Sequence, residues 1–466
     1  MDWADRVHDV PYWAWTVAAA HVVFTGILLY QHGLGWNWDF LVYAMNAEYL
    51  FHGGFFMEWL RPPVAPVIIG MLQFVAPGRV AEYGFILLSS AVFLYAVHRF
   101  AAAAELDRVT FYTLLLTPGG IAVATQAGTE LLSLSLLLLF LADREQPRGG
   151  LWLGLAVLTR YTNLLLLPLL LVQPGWRTRA RSAVVAAVPA APWLAYTAVR
   201  TGDPLSSPVS FLALNVVLRK ESAAADAAGV ALLLLPTALF LAALVRRPVR
   251  QRLYEGFADS RLAWAMLYIA AVTVAVFLAS GVQRARFLYP LLLPLAYTGT
   301  RIVEVVGGRR LVPLLLAANL IAGGAVVAST GYSSPAVYRD AAAAVDDCMV
   351  ESNVWVPLAY AGVHATHPVD AETTRDRLRA GWRVVDITGS VADNVTMLQG
   401  VEKIVDAGGY TVYGNPDRCT PPRPVDGTRI DEYNTAANRS YTATSFLLDA
   451  WRIEPVDDPS VVVSER

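Results

Sequence analysis

Long apolar blocks constrain this chain more than any other feature. They run for roughly 15–22 residues and confine most charges to the stretches between them, close to the ~20 apolar residues a helix needs to cross a bilayer. A chain in hydrocarbon must satisfy its backbone hydrogen bonds internally, so repeated blocks of this length predict an all-α polytopic membrane protein. Composition agrees: charged residues are 16% of the chain and mean hydropathy is +0.45. The first block begins near Pro11 with no small-residue cleavage site after it, and reads as a retained span, not a signal peptide.

Spans are expected at about 11–31, 80–100, 109–125, 129–142, 150–161, 163–173, 183–199, 228–245, 262–280, 286–305 and 311–330, about eleven in all. Segment 62–77 is apolar but opens on Pro62-Pro63 and is short, so it reads as a dip into the interface. Arg144 and Arg148, then Arg177, Arg179 and Arg181, then Arg246, Arg247, Arg250, Arg252 and Arg261, then Arg309 and Arg310 fall on alternate loops. Cytoplasmic loops collect Lys and Arg, so the loop at 32–79, the loop at 200–227 and everything after 330 are expected outside.

The chain thus reads as a transmembrane domain, 1–330, and an extracytoplasmic soluble α/β domain, 331–466. Residues 335–466 hold 20 Asp and Glu against 12 Lys and Arg, leaving 18 acidic and 24 basic residues in the rest. Short apolar runs such as SNVWVPLAYAG and WRVVDITGS alternate there with helical stretches such as AETTRDRLRAGW. Cys348 and Cys419 are the only cysteines, and an outside location permits a disulfide between them. Two sequons, at Asn394 and Asn438, lie in the same segment. Only Lys220 and Lys403 are lysines, and this Arg bias with the acidic tail matches a GC-rich, halophilic, archaeal-type composition. No Gly-rich phosphate loop and no basic cytoplasmic domain for a nucleotide is found, and no nucleic-acid partner is expected.

Chemistry concentrates in WNWDFLVYAMNAEYLFHGGFFMEWLRPP, residues 36–63. Asp39, Tyr43, Ala47 and Leu50 recur at helical spacing, with Asp39 near the start and Trp36, Trp38, Phe40, Phe55, Phe56 and Trp59 expected as interfacial anchors. An N-cap role would also explain Asp39, and snorkelling would explain Arg61. Together the two residues suit a different chemistry. An arginine set against prolines can fork onto a phosphate, and a carboxylate can take a proton from a hydroxyl.

The pattern D39-F-x-x-Y43-x-x-x-A47-x-x-L50-x-x-G53 followed by R61-P-P-x-x-P66 resembles the first outside loop of GT-C glycosyltransferases, in the protein O-mannosyltransferase and aminoarabinose transferase branch. AGTELL at 127–132, GLAVLTRYTN at 154–163 and RFLYP at 286–290 resemble that branch's later segments in the same order. The resemblance covers about residues 1–330. It implies transfer of a sugar, mannose or another hexose, from a polyprenyl or dolichyl phosphate to a glycan, protein or lipid acceptor, with inversion at the outer face. It implies catalytic roles for Asp39, as base, and Glu130, and donor-phosphate contacts for Arg61, Arg286, Arg160 and Arg284. Tyr43, Pro62 and Pro63 would support the loop, and the bilayer is a further partner.

Phe40 stands where the protein O-mannosyltransferases carry Glu, and Tyr161 where the branch carries Pro. No cofactor is demanded; a divalent cation is open, and His364 and His367 lack a third ligand at a familiar spacing. A transporter or flippase of a lipid-linked substrate, or a non-catalytic scaffold, also fits the span count. No acid near the middle of a span and no internal repeat favours transport.

Overall fold

The structure, a computed structural model, describes residues 12–218, 226–257, 261–280, 283–331, 335–345, 347–368, 371–387 and 401–453. The chain divides into two compact units. One comprises Met1–Gly33, Glu82–Trp193 and Ala223–Gly331; the other comprises Leu34–Ala81, Leu194–Ser222 and Tyr332–Arg466. The expected outside loop thus belongs to the same unit as the C-terminal segment.

Apolar helices dominate the chain. Trp13–Leu34, Arg79–Ala103, Gly175–Thr201, Arg261–Ala279 and Gly308–Ser329 are long and apolar enough to cross a membrane. Shorter apolar helices accompany them, among them Glu130–Ala142 and Gly149–Thr159. Several expected spans are broken, and each break has a local cause. Span 109–125 is two helices, Arg108–Leu115 and Pro118–Val123, because Thr117 caps a new start and Pro118 at its first turn has no N–H to continue the old one. Helix Gly149–Thr159 ends at Arg160, which is extended at φ −148° and ψ 118°, and 163–173 follows inside the 3-10 segment Tyr161–Val172. Span 286–305 opens as a 3-10 turn, Ala285–Leu291, before helix Leu292–Val306. Segment 62–77 forms only the ten-residue helix Val64–Gln73, about 15 Å long and too short to span.

In the first unit, Gly150 and Gly154 let helix Gly149–Thr159 lie against Gly175–Ala187. A Cβ at Gly150 would sit 2.1 Å from the Ser182 carbonyl oxygen, and one at Gly154 would sit 2.2 Å from that of Ala186. Small residues four apart on both helices make this close approach possible. Asp143 ties nearby helix ends together, accepting from Arg99 at 2.8 Å, Arg148 at 3.0 Å and Trp152 Nε1 at 3.0 Å.

The second unit is built on sheet. Strands β2 (Val350–Glu351), β3 (Ala365–Thr366), β4 (Arg383–Ile387), β5 (Lys403–Ala407) and β6 (Tyr410–Tyr413) form one sheet in the order β3-β2-β4-β6-β5. β2 is parallel to β3 and β4, with helices Trp355–Tyr360 and Ala371–Ala380 as crossovers; β6 is antiparallel to β4 and β5. This is the small α/β region the sequence led one to expect. β1 (Phe56–Glu58) pairs in parallel with β7 (Val425–Gly427), Phe56 opposite Val425 and Glu58 opposite Gly427. Cys348 and Cys419 form a disulfide with Cα atoms 5.3 Å apart.

The core of this unit explains why the loop joins it. Val350, Val385, Ile387 and Val412 from the sheet pack with Leu41, Val42 and Met45 of helix Trp38–His52 and with Phe56 of β1. Residues 36–59 were expected to anchor in the membrane interface, but Phe40, Phe56 and Trp59 are buried at 1–2% exposure. Trp36 stacks on Tyr338, and Trp38 meets Trp355 edge-on, ring centroids 5.7 Å apart in both pairs. These rings are core residues of the folded unit, where removal from water by protein replaces removal by lipid.

Candidate active site

Helix Trp38–His52 starts after Asn37 and ends at Gly53, whose φ of 74° is a conformation glycine adopts without a Cβ penalty. Asp39 lies in its first turn, beyond the cap position, where the helix dipole favours a carboxylate. Tyr43 and Asn46 follow on the same face at i+4 and i+7. The Asn46 amide donates to the Glu58 carbonyl at 3.0 Å and accepts from the Glu58 N–H at 2.9 Å, which fixes β1 against the helix.

That clamp sets two carboxylates around one guanidinium. Arg61 Nη2 is 2.8 Å from Asp39 Oδ1, and Arg61 Nε is 2.5 Å from Glu58 Oε2. A turn closes behind it through Arg61 N–H to the Glu58 carbonyl, 3.2 Å, and Pro62 and Pro63 are buried immediately after. Tyr43 lies under the guanidinium, 5.8 Å from its ring centroid. Burial pulls the Arg61 pKa down, but the charges of Asp39 and then Glu58, with Tyr43, raise it, and the net shift is upward. The guanidinium therefore stays charged. Two carboxylates and one cation leave a formal −1 in a largely dry setting.

A second cluster lies in the helical unit. Glu130 opens helix Glu130–Ala142, is 1% exposed, and pairs with Arg160 Nη1 at 2.5 Å. The backbone N–H of Thr129 donates to its other oxygen at 3.2 Å. Asn163, three residues past Arg160, bridges the Ser133 hydroxyl and the Ala156 carbonyl, both at 2.8 Å. Because Arg160 is extended at the helix end, it can turn towards Glu130. Arg160, Thr162, Asn163, Thr273 and Phe287 line one cavity. Arg284 and Arg286 bracket the start of the 3-10 turn Ala285–Leu291, and Arg286 stacks on Phe287, 5.5 Å from the ring centroid. The sequence-expected residues thus fall into two groups: Asp39, Tyr43, Arg61, Pro62 and Pro63 in one, and Glu130, Arg160, Arg284 and Arg286 in the unit that holds the other.

Glu58 and Asn46 carry no motif in the sequence that marks them as site residues. The signal for Glu58 was present, an acid three residues before Arg61, but its meaning depends on the turn between them. His364 stacks on Phe55 at 3.9 Å and bonds to the Arg423 carbonyl, while His367 turns to Glu432. Among the described residues no group of three or more His, Cys, Asp or Glu could hold a metal ion. Of the two sequons, Asn394 lies outside the described residues, and Asn438 is the C-cap of helix Arg429–Ala437.

No protein-family model matches the chain, and no curated protein matches it in sequence. Its fold is that of solved structures of ArnT from Cupriavidus metallidurans. The structure of ArnT bound to undecaprenyl phosphate aligns over 88% of this chain and 99% of that one, with a TM-score of 0.62 and 14% identity. The apo state aligns over 86% and 98%, with a TM-score of 0.59 and 14% identity. The chain has the GT-C fold of a polytopic membrane protein, as its motifs suggested.

Proposed function

We propose that this chain is a membrane glycosyltransferase that takes a sugar, mannose or another hexose, from a polyprenyl phosphate such as dolichyl phosphate and transfers it to a hydroxyl acceptor. The buried Asp39–Arg61–Glu58 cluster carries the reading, set as it is in a chain with the fold of a protein solved with undecaprenyl phosphate. In this reading, residues 1–330 form the transferase domain and 331–466 an extracytoplasmic domain.

Asp39 takes the proton of the acceptor hydroxyl as its oxygen attacks the anomeric carbon. The bond from that carbon to the phosphate oxygen breaks, the electron pair leaves with the polyprenyl phosphate, and the configuration inverts. Among the described residues Arg61 uses one N–H on Asp39 and one on Glu58, so further N–H bonds of its five remain for a phosphate oxygen. Glu58 holds the guanidinium in place while Asp39 is protonated. Glu130 pairs with Arg160 within the helical unit, which also holds Arg284 and Arg286, and for these the motif resemblance is the support. The glycan, lipid or protein nature of the acceptor depends on groups beyond this cluster.

The test is transfer in vitro. Membranes from cells lacking the protein supply acceptor, and radiolabelled polyprenyl-phosphate hexose supplies donor. Purified wild-type protein is expected to label the membranes and release polyprenyl phosphate. Asp39→Asn is expected to lose about 100- to 10,000-fold in rate. Equal labelling by a folded Asp39→Asn refutes the role given to Asp39; no labelling by wild type with any hexose donor refutes the reaction.

A further inference from the structure

The helical unit carries a groove that shares no lining residue with the Arg160 cavity. Ala14 and Ala18, four apart on helix Trp13–Leu34, line it together with Ala91, Tyr95 and His98, at i, i+4 and i+7 on helix Arg79–Ala103. The three alanines leave open the space that larger side chains would fill, and the groove measures about 380 Å³. That is room for on the order of ten methylenes, each taken at a water's ~30 Å³. Val17, Val97 and Tyr112 are its buried lining, and the Tyr112 hydroxyl is engaged with His21 Nδ1 at 3.0 Å, so this floor is apolar. At one end Trp13 stacks on His98, ring centroids 5.8 Å apart, and Arg108 lies over the Trp13 ring, 4.5 Å from its centroid. Arg108 is half-buried, its Nε is shielded from water with no acceptor, and among the described residues no carboxylate pairs with it. The carboxylate of Asp107 is committed to Thr110. Arg99, one residue past His98, is already balanced, donating to Tyr95 at 2.9 Å and to Asp143 at 2.8 Å.

A guanidinium without a carboxylate, at the end of an apolar groove with no acidic lining residue, calls for an anion joined to a hydrocarbon chain. A free phosphate would leave the groove bare, and a neutral lipid would leave Arg108 without a counter-charge. The ammonium of a zwitterionic headgroup would meet a cation and no acid to receive it. Arg99 and Arg148 meet on Asp143, which puts this end of the groove with the Arg144–Arg148 loop. The arginine distribution expects that loop inside, and the inner leaflet carries anionic lipids. We infer that the groove binds an anionic glycerophospholipid, with its phosphate on Arg108 beside Trp13 and one acyl chain along Ala14, Ala18 and Ala91. The inference stands apart from the transferase reading, because the groove uses none of the residues assigned to transfer.

Full-length protein, purified and delipidated in detergent, is titrated with dioleoyl phosphatidylglycerol or dioleoyl phosphatidylcholine, and retained lipid is counted by native mass spectrometry. Wild type is expected to retain phosphatidylglycerol about tenfold more tightly than phosphatidylcholine. Arg108→Gln is expected to bring the two lipids level. Ala91→Leu, at an exposed position and checked for an unchanged melting temperature, fills the groove and is expected to weaken retention of both lipids. Equal retention of the two lipids by wild type, a preference that survives Arg108→Gln, or retention untouched by Ala91→Leu overturns the inference. So does displacement of phosphatidylglycerol by an equal concentration of undecaprenyl phosphate, which would make the occupant a polyprenyl lipid. Residues 1–11 carry Asp2, Asp5 and Asp9. Phosphatidylglycerol retention that arises only when residues 2–11 are deleted assigns the groove to that segment and overturns the inference as well. Selective, Arg108-dependent retention by a protein that transfers no sugar keeps the lipid site and removes only the transferase reading.

Discussion

Arg61→Met keeps the length of the side chain and deletes its charge, leaving Asp39 and Glu58 on either side of an apolar stem. Their side chains are 11% and 9% exposed, and that of Arg61 is 15%, so solvent screens the cluster weakly. Removing one member of a buried ion pair costs about 3–5 kcal/mol. Arg61→Lys keeps the charge but cannot reach both carboxylates in a fork, and losing one charge-assisted bond costs about 1.5–3 kcal/mol. The unit that holds the cluster has about 200 residues, for which 1 kcal/mol corresponds to roughly 2–4 °C. Arg61→Met is therefore expected to lower the melting temperature by about 6–20 °C, and Arg61→Lys by about 3–12 °C. The assay is intrinsic-fluorescence melting of protein in nanodiscs. In an Asp39→Asn background the loss from Arg61→Met is expected to shrink by about 1–3 kcal/mol, since one of the stranded charges is gone. An Arg61→Met protein that melts with wild type, or an equal loss in both backgrounds, refutes the charge-cluster argument.

Gly154→Val places carbon against the Ala186 carbonyl, and the helices must separate; a loss of about 1–3 kcal/mol in melting experiments is expected, against little change for an exposed glycine such as Gly427. Reducing Cys348–Cys419 opens a loop spanning 71 positions, worth about 4 kcal/mol in the chain-entropy account, so dithiothreitol is expected to lower the melting temperature of wild type and to leave Cys348→Ser/Cys419→Ser unchanged. Burial, then the bond to Asp426, raises the Tyr49 pKa above its ordinary 10.0. The folded state thus holds the Tyr49 proton more tightly than the unfolded state, so this contribution is full below pH 10 and is lost as pH rises through the folded value. Melting temperature measured across pH 9–12 is expected to fall more steeply for wild type than for Tyr49→Phe, over roughly the range where the unfolded phenol titrates and the folded one does not.

The membrane fold was legible in the sequence because each span is a local statement of length and hydropathy. The helix bearing Asp39 was legible for the same reason, from its 3.6-residue spacing. Where legibility stopped, the missing information was non-local. β1 pairs with a strand more than 360 residues away, and nothing in FFMEW distinguishes a buried strand from an interfacial aromatic belt. Once that pairing forms, Trp59 Nε1 donates to Asp426 at 2.5 Å, Tyr49 donates to the same carboxylate at 2.6 Å, and Glu58 is turned onto Arg61. Arg160 and Glu130 could each be singled out from a motif, but their contact needed the helix to end at Thr159. The breaks at Leu116 and Arg160 were hidden inside hydropathy that continues across them.

Mass spectrometry of surface glycans and glycolipids tests the central claim most directly, in cells lacking this protein and complemented with wild type or with Asp39→Asn. A sugar is expected to be missing in the deletion strain, to return with wild type, and to stay missing with an Asp39→Asn protein present at wild-type level. Glycans identical in all strains, or full restoration by Asp39→Asn, would contradict the claim.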